Sequence, residues 1–188
     1  MKKIQKLLRE IAGLRRVLGT GDFLRWLVIL IWHSPKVLRS GSLGPVDDAF
    51  GTRVRFRTGG TWQVIEQGSL GVVREIVAAN CYVRPGDLAG AKTILDLGAN
   101  CGVFTLFALA NAPQARLVSV EAQPAMARVA RDNIARNNHS HRVELENAYA
   151  GAPNDFIRGL VKAHPSLGAF DPVAYVNRVG ECDFLKVT

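Results

Sequence analysis

The segment Ile94-Leu95-Asp96-Leu97-Gly98-Ala99-Asn100-Cys101-Gly102-Val103-Phe104-Thr105 sets the terms for the rest of the chain. Thr93 to Leu97 has the length and apolar content of a buried strand, and Val103 to Ala110 continues as an apolar helix. Between them two glycines permit a sharp bend and let a ligand approach backbone that has no Cβ in the way. A strand that ends in a glycine turn and opens a helix is the first half of a βαβ unit. The pattern then repeats. Leu117–Val120 reads as a second strand, Pro124–Asn137 as a second helix with proline near its first turn, Arg142–Leu145 as a third strand and Asp183–Val187 as a fourth. Alternating strands and helices predict an α/β fold with a parallel sheet and right-handed crossovers.

The glycine turn is a candidate nucleotide site, and two details choose among nucleotides. The dinucleotide fingerprint G-x-G-x-x-G needs glycine at position 100, where this chain has Asn100 and the spacing Asp-x-Gly-x-x-x-Gly. Asp96 also puts a carboxylate near the strand end, where a dinucleotide would set its pyrophosphate, so an NAD-linked oxidoreductase is disfavoured. S-adenosylmethionine (SAM) has no phosphate and carries an ammonium and a sulfonium, so the same carboxylate offers it a charge-assisted partner. Glu121 closes the second strand 23 residues beyond Gly98, near the roughly 20-residue offset at which an acid accepts hydrogen bonds from ribose hydroxyls.

A net charge of +8 suggests nucleic acid until its location is considered. Residues 1–60 carry twelve Lys and Arg against four acids, Glu10, Asp22, Asp47 and Asp48, while the remaining residues balance twelve against twelve. The nucleotide-site region is neutral and lacks a basic, aromatic-studded pattern, so no nucleic-acid partner is expected. In the first twenty residues Ile4, Leu7, Leu8, Ile11, Leu14 and Leu18 recur at helical spacing among Lys2, Lys3, Lys6, Arg9, Arg15 and Arg16, which predicts a basic amphipathic helix. After a break at Gly19-Thr20-Gly21-Asp22, a second helix carries the apolar run Trp26 to Trp32 and ends near Ser34-Pro35. Seven apolar residues cannot span a bilayer. Arg25 and the lack of a small-x-small site argue against a cleaved signal. Residues 1–35 therefore read either as a peripheral contact with an anionic membrane or as a helical cap on the protein's own core.

Residues 41–51 read as a Gly, Ser, Pro and Asp linker. Arg53–Arg57 and Trp62–Ile65 flank Thr58-Gly59-Gly60-Thr61 as a hairpin with its arginines in solvent, and Leu70–Val77 reads as a helix before a Pro85-Gly86 turn. Three segments result: a basic helical extension over 1–45, a hairpin and helix over 46–86, and the nucleotide-binding α/β region over 87–188. Cys81, Cys101 and Cys182 form no C-x-x-C pair, so neither a disulfide framework nor a metal site is expected, and a reducing cytoplasmic setting fits.

The run Asp96-Leu97-Gly98-Ala99-Asn100-Cys101-Gly102-Val103-Phe104-Thr105-Leu106 resembles the opening motif of the FkbM-type methyltransferases. Later landmarks keep the family's order: Val120-Glu121-Ala122-Gln123-Pro124, the asparagine-rich Asn133 to Asn138, Asn147-Ala148, and Asp183-Phe184-Leu185-Lys186. The resemblance covers about residues 80–188. It implies a Rossmann-like class I methyltransferase fold, SAM as cofactor, and methyl transfer to a hydroxyl of a sugar, glycan or other small natural product. It also implies that Asp96, Gly98, Asn100 and Gly102 line the methionine part of SAM, Glu121 the ribose and Asn147 the adenine edge. The family continues beyond Asp-Phe-Leu-Lys with a hydrophobic residue and Asp-x-Glu-Gly, whereas this chain reads Val187-Thr188. The expectation is an incomplete sheet whose last strand forms an aggregation-prone edge, and a poorly soluble, inactive product.

No catalytic base can be named from the sequence. His139 and His141 fall in a polar turn and His164 precedes a proline, so all three read as loop residues, while Lys186 is either near the reaction centre or an ordinary strand-end charge. The alternative from another class is a non-catalytic module that binds membrane or nucleic acid through its basic helix.

Overall fold

The computed structural model describes residues 2–84 and 86–188. The side chains of Lys2, Lys3, Ile4 and Lys6, and Pro85 of the expected Pro85-Gly86 turn, lie outside the described residues. The chain divides into two compact units, residues 1–83 and residues 84–188.

The first unit opens with helices α1 (Lys2–Val17) and α2 (Thr20–Ser40). Leu14, Val17 and Leu18 are buried, and Leu18 bridges to Phe56 of the hairpin. The break between the helices is shorter than expected, and α2 does not stop at Ser34-Pro35 but runs through the proline to a cap at Gly41. The reason is local. Proline cannot donate to the carbonyl four residues back. Here that carbonyl, Ile31 O, accepts the Ser34 hydroxyl at 2.8 Å.

Residues 41–51 are likewise not a linker. Gly44–Phe50 forms helix α3 with Pro45 in its first turn and with Val46, Asp47 and Phe50 buried. The Arg25 guanidinium holds α3 to α2 by donating to Phe50 O at 2.8 Å while stacking over the Phe50 ring. Strands β1 (Val54–Thr58) and β2 (Thr61–Ile65) form the expected hairpin around Gly59 and Gly60, whose φ of 53° and 81° suit the twist of a two-residue turn. Val54, Phe56 and Thr58 alternate inward while Arg55 and Arg57 face solvent. Helix α4 (Leu70–Val73) continues as a π-helical turn over Arg74–Ala78. From that turn Arg74 reaches Asp47 at 2.8 Å and Glu10 at 3.2 Å, tying α1 and α3 to it. Burial pushes the Asp47 carboxyl up, against the pull of Arg74.

The second unit contains the parallel sheet that the alternating pattern predicts. Strand β3 (Thr93–Leu97) leads through α5 (Val103–Asn111) to β4 (Arg116–Val120), and α6 (Pro124–Arg136) leads to β5 (Val143–Glu146). A smaller parallel pair, β6 (Ala148–Ala150) and β7 (Gly168–Phe170), brackets α7 (Asp155–Ala163), and α8 (Pro172–Val179) precedes β8 (Phe184–Val187). The main sheet has the order β5-β4-β3-β8 with every neighbour parallel. One face is apolar: Leu95, Leu97, Val118 and Val120 pack with Ala148, Phe170 and Tyr175. The alternate residues Asp96 and Ser119 point the other way and meet Thr105 of α5.

The order has a functional consequence. The chain moves from β3 outward to β4 and β5, then returns to the other side of β3 as β8. Strand order reverses between β3 and β8, and ligands of open α/β sheets bind outside the carboxyl ends of strands at such a reversal.

Candidate functional site

Leu97 ends β3 at that reversal, and the chain turns there under tight constraints. Gly98 has φ +81°, and a Cβ at that position would lie 3.2 Å from Thr188 O and 3.3 Å from Thr188 Cβ. Glycine is thus required both by backbone conformation and by the approach of the residue following β8. The amides of Gly98 and Ala99 both donate to Val120 O, at 2.9 and 3.0 Å, which folds the turn over the end of β4. Asn100 is left-handed at φ +51°, a conformation asparagine tolerates, and its Oδ1 accepts the Cys101 amide at 2.7 Å. Gly102, at φ +85°, starts α5.

Glu121 follows β4 and is 8% exposed. Its Oε2 accepts the Asn100 amide at 2.7 Å and its Oε1 accepts the Gln123 amide at 2.8 Å. A carboxylate has about four acceptor positions, so two remain after these bonds. The Asn147 amide group donates to the carbonyls of Glu121 (2.8 Å) and Ala122 (3.1 Å), so Asn147 fixes the backbone that carries the acid. Gly98, Asn100, Gly102, Glu121 and Asn147 therefore share the carboxyl edge of the sheet, brought together by the register of three strands.

Asp96 has a different partner from the one its sequence position suggested. It is fully buried; Lys186 Nζ lies 2.9 Å from its Oδ1, and the Thr105 hydroxyl donates to its Oδ2 at 2.9 Å. With the Thr105 proton committed to Asp96, the Ser119 hydroxyl 2.8 Å away donates to Thr105. Lys186 also donates to Gly98 O at 2.6 Å and sits over the Phe104 ring. Burial raises the Asp96 carboxyl above its ordinary range, with the Lys186 ammonium opposing. Lys186 is thus neither a strand-end surface charge nor open to solvent: it neutralises Asp96 and braces the glycine turn from below.

Thr105 and Ser119 were not recognisable as site-supporting residues from the motif. The available signal was a hydroxyl inside each apolar run, since polar groups buried in a sheet must find partners. Asp183 lies at the opposite, amino edge, where its Oδ2 accepts the amides of Lys92 (2.7 Å) and Thr93 (2.8 Å), bonds that lower its carboxyl below the usual range. His141 and His164 are exposed, while burial lowers His139. Among the described residues no group of three or more His, Cys, Asp or Glu side chains could hold a metal ion.

A family model described as the methyltransferase small domain matches residues 58–161. Solved structures similar to the chain include an O-methyltransferase from Bacillus cereus in complex with SAH, 30% identical over 40% of this chain and 40% of that one, TM-score 0.31. They also include the O-methyltransferase of a trans-AT PKS multienzyme of Brevibacillus brevis with S-adenosyl-L-homocysteine, 17% identical over 44% of this chain and 34% of that one, TM-score 0.33. A third is the M. jannaschii tRNA m1G37 methyltransferase, 12% identical over 63% and 40%, TM-score 0.36. The chain spans less than half the length of each of these three. No curated protein matches it.

Proposed function

The chain belongs to the methyltransferase small domain family, and on that footing we propose that its glycine turn holds SAM for methyl transfer to a hydroxyl group of a sugar, glycan or related natural product. One observation carries the choice of cofactor. The Asn100 amide, which in a dinucleotide fold would face a pyrophosphate, is spent on the Glu121 carboxylate. An anion placed there would meet that carboxylate. A phosphate-free nucleoside with vicinal hydroxyls and a cationic end would instead meet the two acceptor positions Glu121 has left. Glu121 is the acid bonded to the turn, because Lys186 cancels the charge of Asp96.

Bound SAM would supply an electrophilic methyl carbon on its sulfonium. In this reading Glu121 accepts the ribose hydroxyls, Gly98, Asn100 and Gly102 border the methionine part, and Asn147 lies toward the adenine edge. Asp96 acts through Lys186, by setting the height of the Gly98 carbonyl. An acceptor oxygen must sit about 3–3.5 Å from the methyl carbon, in line with the bond that breaks. The resemblance of 96–106 to the FkbM-type opening motif supports a hydroxyl acceptor and a narrower family placing.

Incubation with methyl-labelled SAM and two acceptor sets, hydroxylated glycans or macrolides and transfer RNA, tests the proposal. Label entering the glycan or macrolide set is the outcome that supports the proposal, and it would overturn the inactive product expected from the sequence alone. Label in transfer RNA alone contradicts the acceptor, and label in neither contradicts the activity of this chain.

A further inference from the structure

Helix α2 is 21 residues and therefore about 30 Å long, and only one side of it is covered. Trp26 and Val37 are buried, and Arg25 is bonded to Phe50 O. The opposite side exposes Leu24 (56%), Val28 (66%), Ile31 (75%), Trp32 (82%) and Leu38 (81%). At 100° per residue these five fall within an arc of about 120°, and exposed Pro35 lies inside the same arc. This is an apolar stripe along the whole helix, where a solvated helix would carry its polar residues.

Charge says what covers it. Lys36 lies just outside this arc and Arg39 falls within it at the last turn of the helix; both are exposed, and neither takes part in an ion pair among the described residues. Helix α1 adds exposed Arg9, Arg15 and Arg16. Of the four acids in residues 1–60, Glu10 and Asp47 are turned inward onto Arg74, so the outward charge of this unit is strongly positive. No helix among the described residues is long and apolar enough to cross a membrane. An apolar stripe with a tryptophan at its margin, lysine beside it and arginine at its end suits a helix lying in the plane of an anionic bilayer surface. Nucleic acid would demand cations along the centre of the contact, where here the residues are aliphatic.

We propose that the outer face of α2 docks this chain on an anionic lipid bilayer, independently of the cofactor reading. The test is co-sedimentation of the full chain with vesicles of mixed phosphatidylcholine and phosphatidylglycerol, against vesicles of phosphatidylcholine alone. Binding to the mixed vesicles is expected, weakening with added salt. It should fall at least ten-fold for Ile31→Ser/Trp32→Ser, whose side chains are already in solvent so that circular dichroism stays unchanged. Lys36→Glu/Arg39→Glu should cost a similar factor, about five-fold for each basic residue lost. Three results overturn the proposal: no binding to either vesicle; binding that survives the Ile31/Trp32 substitutions but not the charge reversals, which marks a general polyanion site; or a dimer in solution that those two substitutions dissociate while vesicles stay bare.

Discussion

Two acids close to the ends of neighbouring strands meet opposite fates. Asp96 on β3 is sealed beneath the glycine turn, neutralised by Lys186 and hydrogen-bonded by Thr105. Glu121, one residue beyond β4, stays at the rim, and its partners are backbone amides. In the sequence both look like cofactor contacts. The folded chain divides the work: a buried charge pair fixes the height of the turn, and a rim carboxylate gives the turn its negative sign. Position along the strand makes the difference, because Asp96 lies inside β3 on the face covered by α5, whereas Glu121 lies one residue beyond β4.

If that division is right, disturbing the two acids should damage different properties. Lys186→Met leaves a buried carboxylate without its cation and should cost about 3–5 kcal/mol in urea denaturation. The double variant Asp96→Asn/Lys186→Met removes both charges while keeping an acceptor for Thr105, and should recover at least half of that loss. A double variant no more stable than Lys186→Met alone would mean that the two groups do not act as a pair. Glu121→Ala deprives the Asn100 and Gln123 amides of their acceptor and should cost about 1–3 kcal/mol. Its larger effect should be on ligand: affinity for S-adenosylhomocysteine should fall at least ten-fold by calorimetry, and unchanged affinity would remove Glu121 from the site.

The smallest effect lies at the far edge of the sheet. Asp183 has a lowered carboxyl pKa because its charged form accepts the Thr93 and Lys92 amides. Its contribution is therefore present above the ordinary carboxylate range and is lost as pH falls through the lowered value in the folded chain. Thermal melting of Asp183→Asn should trail the parent chain at neutral pH and converge with it in acid. A gap that stays constant with pH would show that the charge contributes nothing.

The sequence announces the sheet clearly, because each strand of the second unit is a short apolar run bounded by glycine, proline or a polar turn. It also announces the members of the carboxyl edge, since Gly98, Gly102 and Glu121 are set by spacing along a βαβ unit. Three things were hidden. Lys186 lies 90 residues from Asp96, and no local pattern reports which side of β3 the last strand will join. The continuation of α2 through Pro35, where the Ser34 hydroxyl takes the place of the missing amide at Ile31 O, is not marked by the proline itself. Helix α3 is assembled from residues that favour turns, and is held in place by burial of Val46 and Phe50 and by Arg25 and Arg74 reaching in from other elements.

Cofactor recognition here requires the Glu121-capped turn to accept a phosphate-free nucleoside that carries an ammonium group. Amide chemical-shift mapping of the labelled chain with S-adenosylhomocysteine tests this most directly, with NAD in a parallel titration. The prediction is saturable shifts at Gly98–Gly102, Glu121 and Asn147 with S-adenosylhomocysteine, and none there with NAD. Shifts at those residues with NAD, and silence with S-adenosylhomocysteine, would contradict it.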